Sequence, residues 1–229
     1  MNDASPANGL ARTGVRGHGL PGRFLSVEGI DGAGKSTHLD WLAEHCRQSG
    51  REVIVTREPG GTPLGERLRE LLLHETMGVQ TELLLVFAAR CEHVNELIRP
   101  ALTRGAMVIC DRFTDSTHAY QGGGRGLKAG WIDQLEAVVL GGLRPDRTYL
   151  FDLPADIAAR RRAAAREADR FEQEDLDFFE RVRAAYSRRV SQDPERFLRL
   201  DGRETVDTLR ARIADDLATQ GLLGHNAGH

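Results

Sequence analysis

The sequence has almost no net charge, few cysteines and no long apolar run. Its 31 basic and 34 acidic side chains leave a formal charge of -3, so no positive field attracts a nucleic-acid backbone or an anionic membrane. No apolar stretch approaches the roughly 20 residues that span a bilayer. The three cysteines, Cys46, Cys91 and Cys110, lack the spacing of metal ligands. We therefore expect buried thiols in a cytoplasmic protein, with neither a nucleic-acid nor a membrane partner.

Lysine is also scarce. Of the 31 basic residues only Lys35 and Lys128 are lysine, and the rest are arginine. Arginine does not replace an ammonium point charge where the chemistry needs one. The lysine at position 35 therefore marks a position to examine.

The pattern along the chain predicts one α/β domain, for which 229 residues are sufficient. Short apolar runs at 24–28, 52–56, 106–110, 148–152 and 196–200 predict five strands. They alternate with helical patterns at 35–49, 64–74, 81–103, 130–140, 156–165, 173–191 and 204–218. This alternation is typical of a doubly wound parallel sheet flanked by helices.

The domain is expected to cover residues 23–218. Residues 1–22 are rich in Gly, Ala, Arg and Asn and lack the apolar segment of a signal peptide. They predict a disordered N-terminal extension, and residues 219–229 predict a flexible tail.

A phosphate-binding loop follows the first predicted strand. Residues 29–36 match G-x-x-x-x-G-K-[ST] between a strand and a helix, and the complete motif argues against a glycine-rich turn that binds nothing. The sequence thus predicts the P-loop NTPase fold, with Lys35 on the β- and γ-phosphates of ATP and Ser36 on Mg²⁺. The predicted ATP-binding residues are Gly29, Ile30, Asp31, Gly32, Ala33, Gly34, Lys35, Ser36 and Thr37.

Charged residues follow two more strands. Arg57 and Arg69 flank a Pro-Gly-Gly turn and are able to clamp a second phosphate, although an arginine beside a turn is more often a solvated surface charge. Asp111 lies where a Walker-B aspartate holds Mg²⁺ through water, and Arg112 beside it faces the transferring phosphate. The alternative for this second pair is an ion pair at the end of a strand.

Four segments together resemble the thymidylate kinase family, of the bacterial type, over residues 23–218. They are 27–37, 56–62, 111–113 and 119–126, in this order and spacing. The strings Arg-Glu-Pro-Gly-Gly and Ala-Tyr-Gln-Gly-Gly-Gly-Arg-Gly are far more specific to that family than the phosphate loop. The resemblance implies a homodimeric enzyme that uses ATP and Mg²⁺ to convert dTMP to dTDP for dTTP synthesis.

The resemblance also implies roles for individual residues. Asp31 would contact the sugar 3′-hydroxyl and the metal network, and Tyr120 would close the space beside C2′. The monophosphate would be held by Arg57, Arg69 and Arg112. The thymine edge would be bound by Arg90 and Gln121, with Thr117 nearby and Phe87 stacking. One departure is that many relatives have Phe-x-x-x-Arg, whereas Phe87 precedes Arg90 by three positions and Val86 by four.

An arginine-rich segment at about 160–172 resembles the lid of the family. Its five arginines within 11 residues are Arg160, Arg161, Arg162, Arg166 and Arg170. Such a run is commonly an exposed face with ion pairs. However, Gly32 stands where eukaryotic relatives carry an arginine, so a lid arginine is expected to meet the charge of the γ-phosphate. We expect Arg166 in this role, and the predicted catalytic residues are Asp31, Lys35, Arg112 and Arg166.

Two other functions remain open at this point. One is another nucleoside or nucleotide kinase of the P-loop class, acting for instance on dUMP, dGMP or a nucleoside. Arg57 and Arg69 favour a phosphorylated acceptor, and Arg90 and Gln121 favour a pyrimidine keto edge. The other is a P-loop ATP-binding switch that is not a kinase. The second anion site and the lid arginines argue against this alternative.

Overall fold

The computed structural model describes residues 22–163, 170–171 and 174–223. The predicted N-terminal extension, apart from Gly22, lies outside these residues, as do Arg166 and the end of the tail. The boundary predicted at residue 218 falls inside the last helix, and Leu222 beyond it is buried in the core. The start of the predicted tail therefore belongs to the domain.

Five parallel strands form one sheet. They are β1 (Arg23–Glu28), β2 (Val53–Arg57), β3 (Met107–Asp111), β4 (Arg147–Asp152) and β5 (Phe197–Asp201), in the order β2-β3-β1-β4-β5. Each predicted strand is confirmed to within one residue at either end. The central strand β1 is buried along nearly its whole length, because helices cover both faces of the sheet, and so its sequence is a continuous apolar run.

The helices follow the predicted periods closely. They are α1 (Lys35–Arg47), α2 (Pro63–His74), α3 (Val79–His93), α4 (Arg99–Thr103), α5 (Thr114–Thr117), α6 (Ala129–Leu140), α7 (Ala155–Ala163), α8 (Leu176–Gln192) and α9 (Val206–Thr219). A π-helical segment, Val94–Ile98, joins α3 to α4, and a second one, His118–Gly124, follows α5. None of the helices that the structure describes has the length and the hydropathy to cross a membrane.

The core has two main parts, one on each face of the sheet, and a smaller cluster of Leu83, Phe87 and Ile132 between α3 and α6. Leu25 and Val27 of β1 point to the face that α1 and α9 cover, whereas Phe24 points to the opposite face, where it packs near Ile98 and Leu140. Neighbouring residues of a strand point to opposite faces, so β1 contributes to both. The result is a three-layer arrangement with helices above and below the sheet, as predicted.

Helix α1 begins without a side-chain cap, as α3 and α6 also do. The first turns of α2, α8 and α9 are capped by side chains of Thr62, Asp175 and Thr205. Helix α1 follows Gly34, has no side-chain cap and has no acidic residue in its first turn. Its positive N-terminal end is therefore left without a side-chain anion of its own, which suits the binding of a phosphate.

A buried charge network joins the second half of the chain to the middle of the sheet. Asp115 is fully buried and accepts hydrogen bonds from Arg189 and Arg196, at 2.8 and 2.7 Å. Arg196 also donates to Thr148, whose hydroxyl meets that of Ser26 at 2.8 Å. Because both arginines share one carboxylate, no buried charge in this group lacks a partner.

The helical segment from Thr114 to Gly124 was not expected from the sequence. Three consecutive glycines, Gly122, Gly123 and Gly124, disfavour a helix, yet the segment packs along α8. A Cβ added at Gly123 would lie 2.5 Å from the Cβ of Ala185, and one at Gly124 would lie 2.4 Å from the ring of Phe178. The glycines thus allow a close approach of two backbones.

This packing makes a prediction for Gly123. We expect Gly123→Ala to lower the free energy of unfolding by about 1–3 kcal/mol, since the added methyl overpacks the contact with α8. Gly130→Ala in α6 is the matched control, because a Cβ there meets no atom within 4 Å and should stabilise by about 0.5–1 kcal/mol. Urea denaturation midpoints measure both, and equal effects at the two sites would contradict the close approach.

Candidate active site

The functional residues gather at the carboxyl ends of the strands. Glu28, Arg57 and Asp111 end β1, β2 and β3, and Arg112 follows directly. In open parallel sheets this edge is where ligands bind. The phosphate loop begins here too, at Gly29.

The phosphate loop requires glycine at two positions, Gly29 for space and backbone conformation and Gly34 for backbone conformation alone. Gly29 has a φ of 137°, and a Cβ there would lie 2.4 Å from the carbonyl oxygen of Phe151. Gly34 has a φ of 101°, in the region that glycine tolerates best. Lys35 is buried and its Nζ donates to the carbonyl oxygens of Gly29 and Ile30, at 2.9 and 3.4 Å. The ammonium group thus lies across the loop that is expected to hold phosphates.

An ion pair joins this loop to the end of β3. The Asp31 carboxylate accepts a hydrogen bond from Arg112 at 2.7 Å and from the Tyr120 hydroxyl at 3.0 Å, and Lys35 lies 3.9 Å away. Burial by itself raises the pKa of Asp31, but the charges of Arg112 and Lys35 outweigh it, so the pKa is well below its ordinary value. Burial and the charge of Arg112 lower the pKa of Lys35.

Arg112 is fixed by four side chains. One terminal nitrogen of its guanidinium donates to Asp31 and Tyr120, and the other donates to Ser116 and Tyr186, at 2.7–3.3 Å. Its backbone has a φ of 69°, in the left-handed region that residues other than glycine rarely adopt. Residues held in this way are commonly found where a side chain must be aimed at a ligand. The guanidinium is thus held in position by side chains of the protein itself.

A buried carboxylate, Glu28, supports Arg112 through the hydroxyls of Ser116 and Tyr186. It accepts hydrogen bonds from the Phe113 amide at 2.7 Å, from the Ser116 hydroxyl at 2.6 Å and from the Tyr186 hydroxyl at 2.9 Å. The same two hydroxyls contact Arg112. Glu28 directly precedes the phosphate loop, but its role was not expected, because a carboxylate at the end of a strand does not reveal its partners in the sequence.

The pKa of Glu28 is raised from 4.5 to about 7. Burial is the main cause and the negative charge of Asp115 adds to it, while the Ser116 hydrogen bond, Arg112 and the Phe113 amide act in the opposite direction. A hydroxyl accepts as well as donates hydrogen bonds. The protonated carboxyl therefore also finds a partner in Ser116.

A cavity of about 660 Å³ opens beside the phosphate loop and is lined from α2, α3, α5 and the segment after it. Its wall combines arginines, carboxylates, hydroxyls and apolar side chains. The lining residues are Asp31, Glu58, Pro59, Arg69, Leu72, Leu73, Val86, Arg90, Arg112, Phe113, Ser116, Thr117, Tyr120, Gln121 and Phe171. Seven of the nine predicted acceptor-binding residues are among them. Asp31 and Arg112 belong to this wall and to the surroundings of the phosphate loop, so the two sites adjoin.

The inner end of the cavity carries an arginine with hydrogen-bonding capacity to spare. Arg90 is buried; its Nε donates to Glu58 at 2.6 Å and its Nη2 donates to the carbonyl oxygen of Phe113 at 3.2 Å. Its Nη1 is buried and has no hydrogen-bond partner among the residues that the structure describes. An unpaired buried donor is costly, so this atom is suited to a ligand acceptor inside the cavity. Glu58, which holds Arg90, also contacts His93 at 3.0 Å.

Two predicted residues lie away from the cavity wall. Arg57 is 54% exposed and its guanidinium donates to Glu66 at 2.8 Å. Phe87 is buried beside Leu83 in the core, with its ring 4.9 Å from the guanidinium carbon of Arg90. Val86, four positions before Arg90, lines the cavity, whereas Phe87, three positions before it, packs in the core.

The predicted metal ligands are oxygen atoms near the loop. The carboxylate atom Oδ1 of Asp111 is buried without a hydrogen-bond partner in the described part of the chain, and Ser36 is exposed in the first turn of α1. Mg²⁺ prefers oxygen ligands and retains several of its waters. An orphaned carboxylate oxygen and a hydroxyl therefore fit this ion.

The described part of the arginine-rich segment has three kinds of partner. Arg160 is 70% exposed and pairs with Asp156 at 2.9 Å, and Arg161 donates to the carbonyl oxygen of Gly202 at 3.1 Å. Arg170 contacts the buried Glu82 at 2.8 Å. Arg166 lies outside the described residues. The exposed positions of Arg160 and Arg161 agree with a solvated face, whereas Arg170 turns inward.

A loop that binds nucleotide phosphates, beside a separate cavity for a second anionic ligand, defines a P-loop kinase of small molecules. The family model described as thymidylate kinase matches residues 27–213. The thymidylate kinase of Thiobacillus denitrificans is 58% identical over 195 residues, which cover 85% of this chain and 96% of that protein. The thymidylate kinase of Bordetella pertussis is 54% identical over 196 residues, which cover 86% of this chain and 94% of that protein. The chain belongs to the thymidylate kinase family.

The fold agrees with this result. The crystal structure of the thymidylate kinase from Ehrlichia chaffeensis superposes with a TM-score of 0.73 at 33% sequence identity. It covers 86% of this chain and 99% of the other. The resemblance noted from the four sequence segments is thereby confirmed.

Glu28 makes the stability of the protein depend on pH. The pKa of Glu28 is about 7 in the folded protein, above the ordinary 4.5. Its contribution to the free energy of unfolding is therefore complete below about pH 4.5 and is lost as the pH rises to about 7. Glu28→Gln removes this loss. Relative to the unchanged protein, the variant should gain about 1–3 kcal/mol in free energy of unfolding between about pH 5 and pH 8.

Urea denaturation across this pH range measures the difference. Glu52→Gln is the matched control, because the hydrogen bond from Arg104 lowers the pKa of Glu52 and this carboxylate stays ionised throughout the range. The difference in free energy of unfolding between Glu52→Gln and the unchanged protein should not vary with pH. A constant difference for Glu28→Gln as well would contradict a protonated Glu28 in the folded state.

Proposed function

We propose that the chain transfers the γ-phosphoryl group of ATP to dTMP and releases dTDP and ADP, with ATP on the phosphate loop and dTMP in the adjoining cavity. The observation that carries this proposal is the shared wall of Asp31 and Arg112. It allows the phosphates of the two substrates to meet without a barrier between them. Membership of the thymidylate kinase family supports the choice of dTMP.

The acceptor phosphate is assigned to the end of the cavity next to the loop. Arg112 and Arg69 line it there, with the Arg69 guanidinium donating to the carbonyl oxygen of Pro59 at 2.9 Å. Arg57 joins them if its ion pair with Glu66 opens. This pair is about half exposed, and such pairs contribute about 1 kcal/mol or less, so the cost of opening it is small.

The base is assigned to the inner end of the cavity. Arg90 and Gln121 lie there with Thr117, which is also buried. Between base and phosphate stands Tyr120, whose ring lies 4.9 Å from the guanidinium carbon of Arg112 and whose hydroxyl donates to Asp31. Because it is held at both ends, Tyr120 is a rigid wall beside the sugar. We assign it to exclude a 2′-hydroxyl.

The reaction asks for alignment and positive charge, and not for a base. An oxygen of the acceptor phosphate, already an anion, forms the new bond to the γ-phosphorus, and the bond to the β,γ-bridging oxygen breaks with its electron pair leaving on ADP. Lys35 and a lid arginine neutralise the charge that develops on the transferring group. Mg²⁺, held at Ser36 and Asp111, would supply further positive charge to the phosphates of ATP.

We also propose that the chain works as a homodimer in the cytoplasm. Leu84 of α3 and Trp131 and Val138 of α6 are 58%, 49% and 83% exposed, on two helices that pack against each other. Exposed apolar side chains on neighbouring helices suit an interface with a second copy. The three cysteines are free, as expected in a reducing compartment.

The choice of acceptor is tested by comparing kcat/KM for dTMP, dUMP and UMP with ATP. dUMP lacks one methyl group and should be about 10- to 200-fold poorer than dTMP. UMP also carries a 2′-hydroxyl, which should clash with Tyr120. Its kcat/KM should therefore be lower than that of dUMP. Lys35→Ala should lose at least about 100-fold in turnover with dTMP, because it removes a charge contact to the transferring group.

Two results would contradict these assignments. Comparable efficiency with UMP and dTMP would exclude the role given to Tyr120. ATP hydrolysis that no nucleoside monophosphate changes would favour a P-loop switch over a kinase.

Arg166 is assigned as the lid arginine that meets the charge of the γ-phosphate. Arg166→Ala should lower turnover by about 1,000-fold or more, while dTMP binding, measured by calorimetry without ATP, should hardly change. Arg161→Ala is the control, since Arg161 contacts only the carbonyl oxygen of Gly202 in the described contacts, and its turnover should stay near normal.

The outcomes separate the two explanations of the arginine run. If Arg162→Ala loses turnover and Arg166→Ala does not, a lid arginine acts but the assignment to Arg166 is wrong. If neither matters, the arginine run is a solvated face.

A further inference from the structure

Another buried carboxylate lies behind Gln121, which lines the cavity. Glu82 of α3 is 1% exposed, does not line the cavity, and has three donors around it. Gln121 donates its amide Nε2 to Oε1 at 2.8 Å, and Arg170 contacts Oε2 at 2.8 Å. The Nε of Arg125 lies 3.5 Å from the same Oε2. Both carboxylate oxygens are therefore engaged.

The arginines determine which way the amide of Gln121 faces. A carboxylate beside two guanidinium groups offers only hydrogen-bond acceptors, so Gln121 must turn its NH₂ group toward Glu82. The orientation follows from this chemistry, and not from the shape of the amide, whose two ends look alike. Because Gln121 lines the cavity, its carbonyl oxygen Oε1 is the end that remains for a ligand.

Two side chains at the inner end of the cavity therefore have a fixed hydrogen-bonding role, one as an acceptor and one as a donor. The acceptor is Oε1 of Gln121, and the donor is the unpartnered Nη1 of Arg90. A 4-keto pyrimidine has the matching pattern, with a donor at N3–H and an acceptor at O4. A 4-amino pyrimidine has the reverse at both positions, an acceptor at N3 and a donor at the amino group. It would leave the polar groups of the site unpaired.

We infer that Glu82 is a positioning residue that makes the cavity select 4-keto over 4-amino pyrimidine nucleotides, by holding the amide of Gln121 in one orientation. The inference rests on the proposed function, which assigns the base to this end of the cavity. Glu82 acts through Gln121 and does not itself touch the base. Arg170 and Arg125 keep its carboxylate in place.

The test compares kcat/KM for dTMP and dCMP in the unchanged protein and in Glu82→Gln. Glutamine has nearly the same volume, but its NH₂ group can donate, so the amide of Gln121 is free to flip and to turn its own NH₂ toward the base. We expect the ratio of dTMP to dCMP efficiency to fall by at least about tenfold. The loss for dTMP should appear in its KM, with the KM for ATP unchanged.

Two variants are the matched controls. Glu174→Gln neutralises the other carboxylate on Arg125 but has no contact with Gln121, and it should leave the ratio unchanged. Glu82→Asp keeps a carboxylate, which only accepts hydrogen bonds. Its ratio of dTMP to dCMP efficiency should therefore fall less than the ratio of Glu82→Gln.

The outcomes are distinct. An unchanged ratio in Glu82→Gln, or an equal fall in Glu174→Gln, overturns the inference while dTMP phosphorylation by the unchanged protein upholds the proposed function. If the unchanged protein does not phosphorylate dTMP, the proposed function itself fails.

A measurement on the unchanged protein covers the case in which Glu82→Gln does not fold. The side-chain NH₂ signal of Gln121 in a ¹⁵N spectrum should exchange slowly with solvent, with and without dTMP, because it faces a buried carboxylate. If the NH₂ protons of Gln121 exchange fast without dTMP and slowly only after dTMP is added, the NH₂ group faces the cavity. That result would overturn the inference.

Discussion

The ion pair between Asp31 and Arg112 is the contact on which the rest of the site depends. Asp31 belongs to the phosphate loop and Arg112 follows β3, so the pair joins two neighbouring strand ends at 2.7 Å. Its surroundings, a buried lysine on one side and the Tyr120 hydroxyl on the other, keep the Asp31 carboxylate ionised. Since both residues also line the cavity, one contact aligns the loop with the space beside it.

Buried carboxylates hold several of the side chains that line the cavity. Glu28 supports Arg112 through two hydroxyls, Glu58 holds Arg90, and Glu82 holds Gln121. Buried charges are costly unless each is paired, and the carboxylates of Asp31, Glu58, Glu82 and Asp115 are each paired with arginine. The planar guanidinium makes several directed hydrogen bonds at once. Arginine therefore suits these supporting contacts, while the phosphate loop retains a lysine.

Local patterns were sufficient for most of the fold. The five strands were predicted to within one residue because parallel strands buried on both faces are short apolar runs that end in turns. The helices were predicted from their periods. The segment from Thr114 to Gly124 was missed, because its three glycines oppose a helix locally and only the packing along α8 makes one favourable. This is a tertiary effect, which propensity cannot include.

The sequence by itself determined the phosphate loop, because the conformations of Gly29 and Gly34 and the charge of Lys35 lie within one short segment. It also identified the family, from strings that lie together in the chain. Only the tertiary structure decided which side chains meet in the cavity. It placed Val86 at the wall and Phe87 in the core, and it paired Glu82 with Gln121, 39 residues apart. Such contacts depend on how helices are rotated and packed, which a spacing along the chain does not specify.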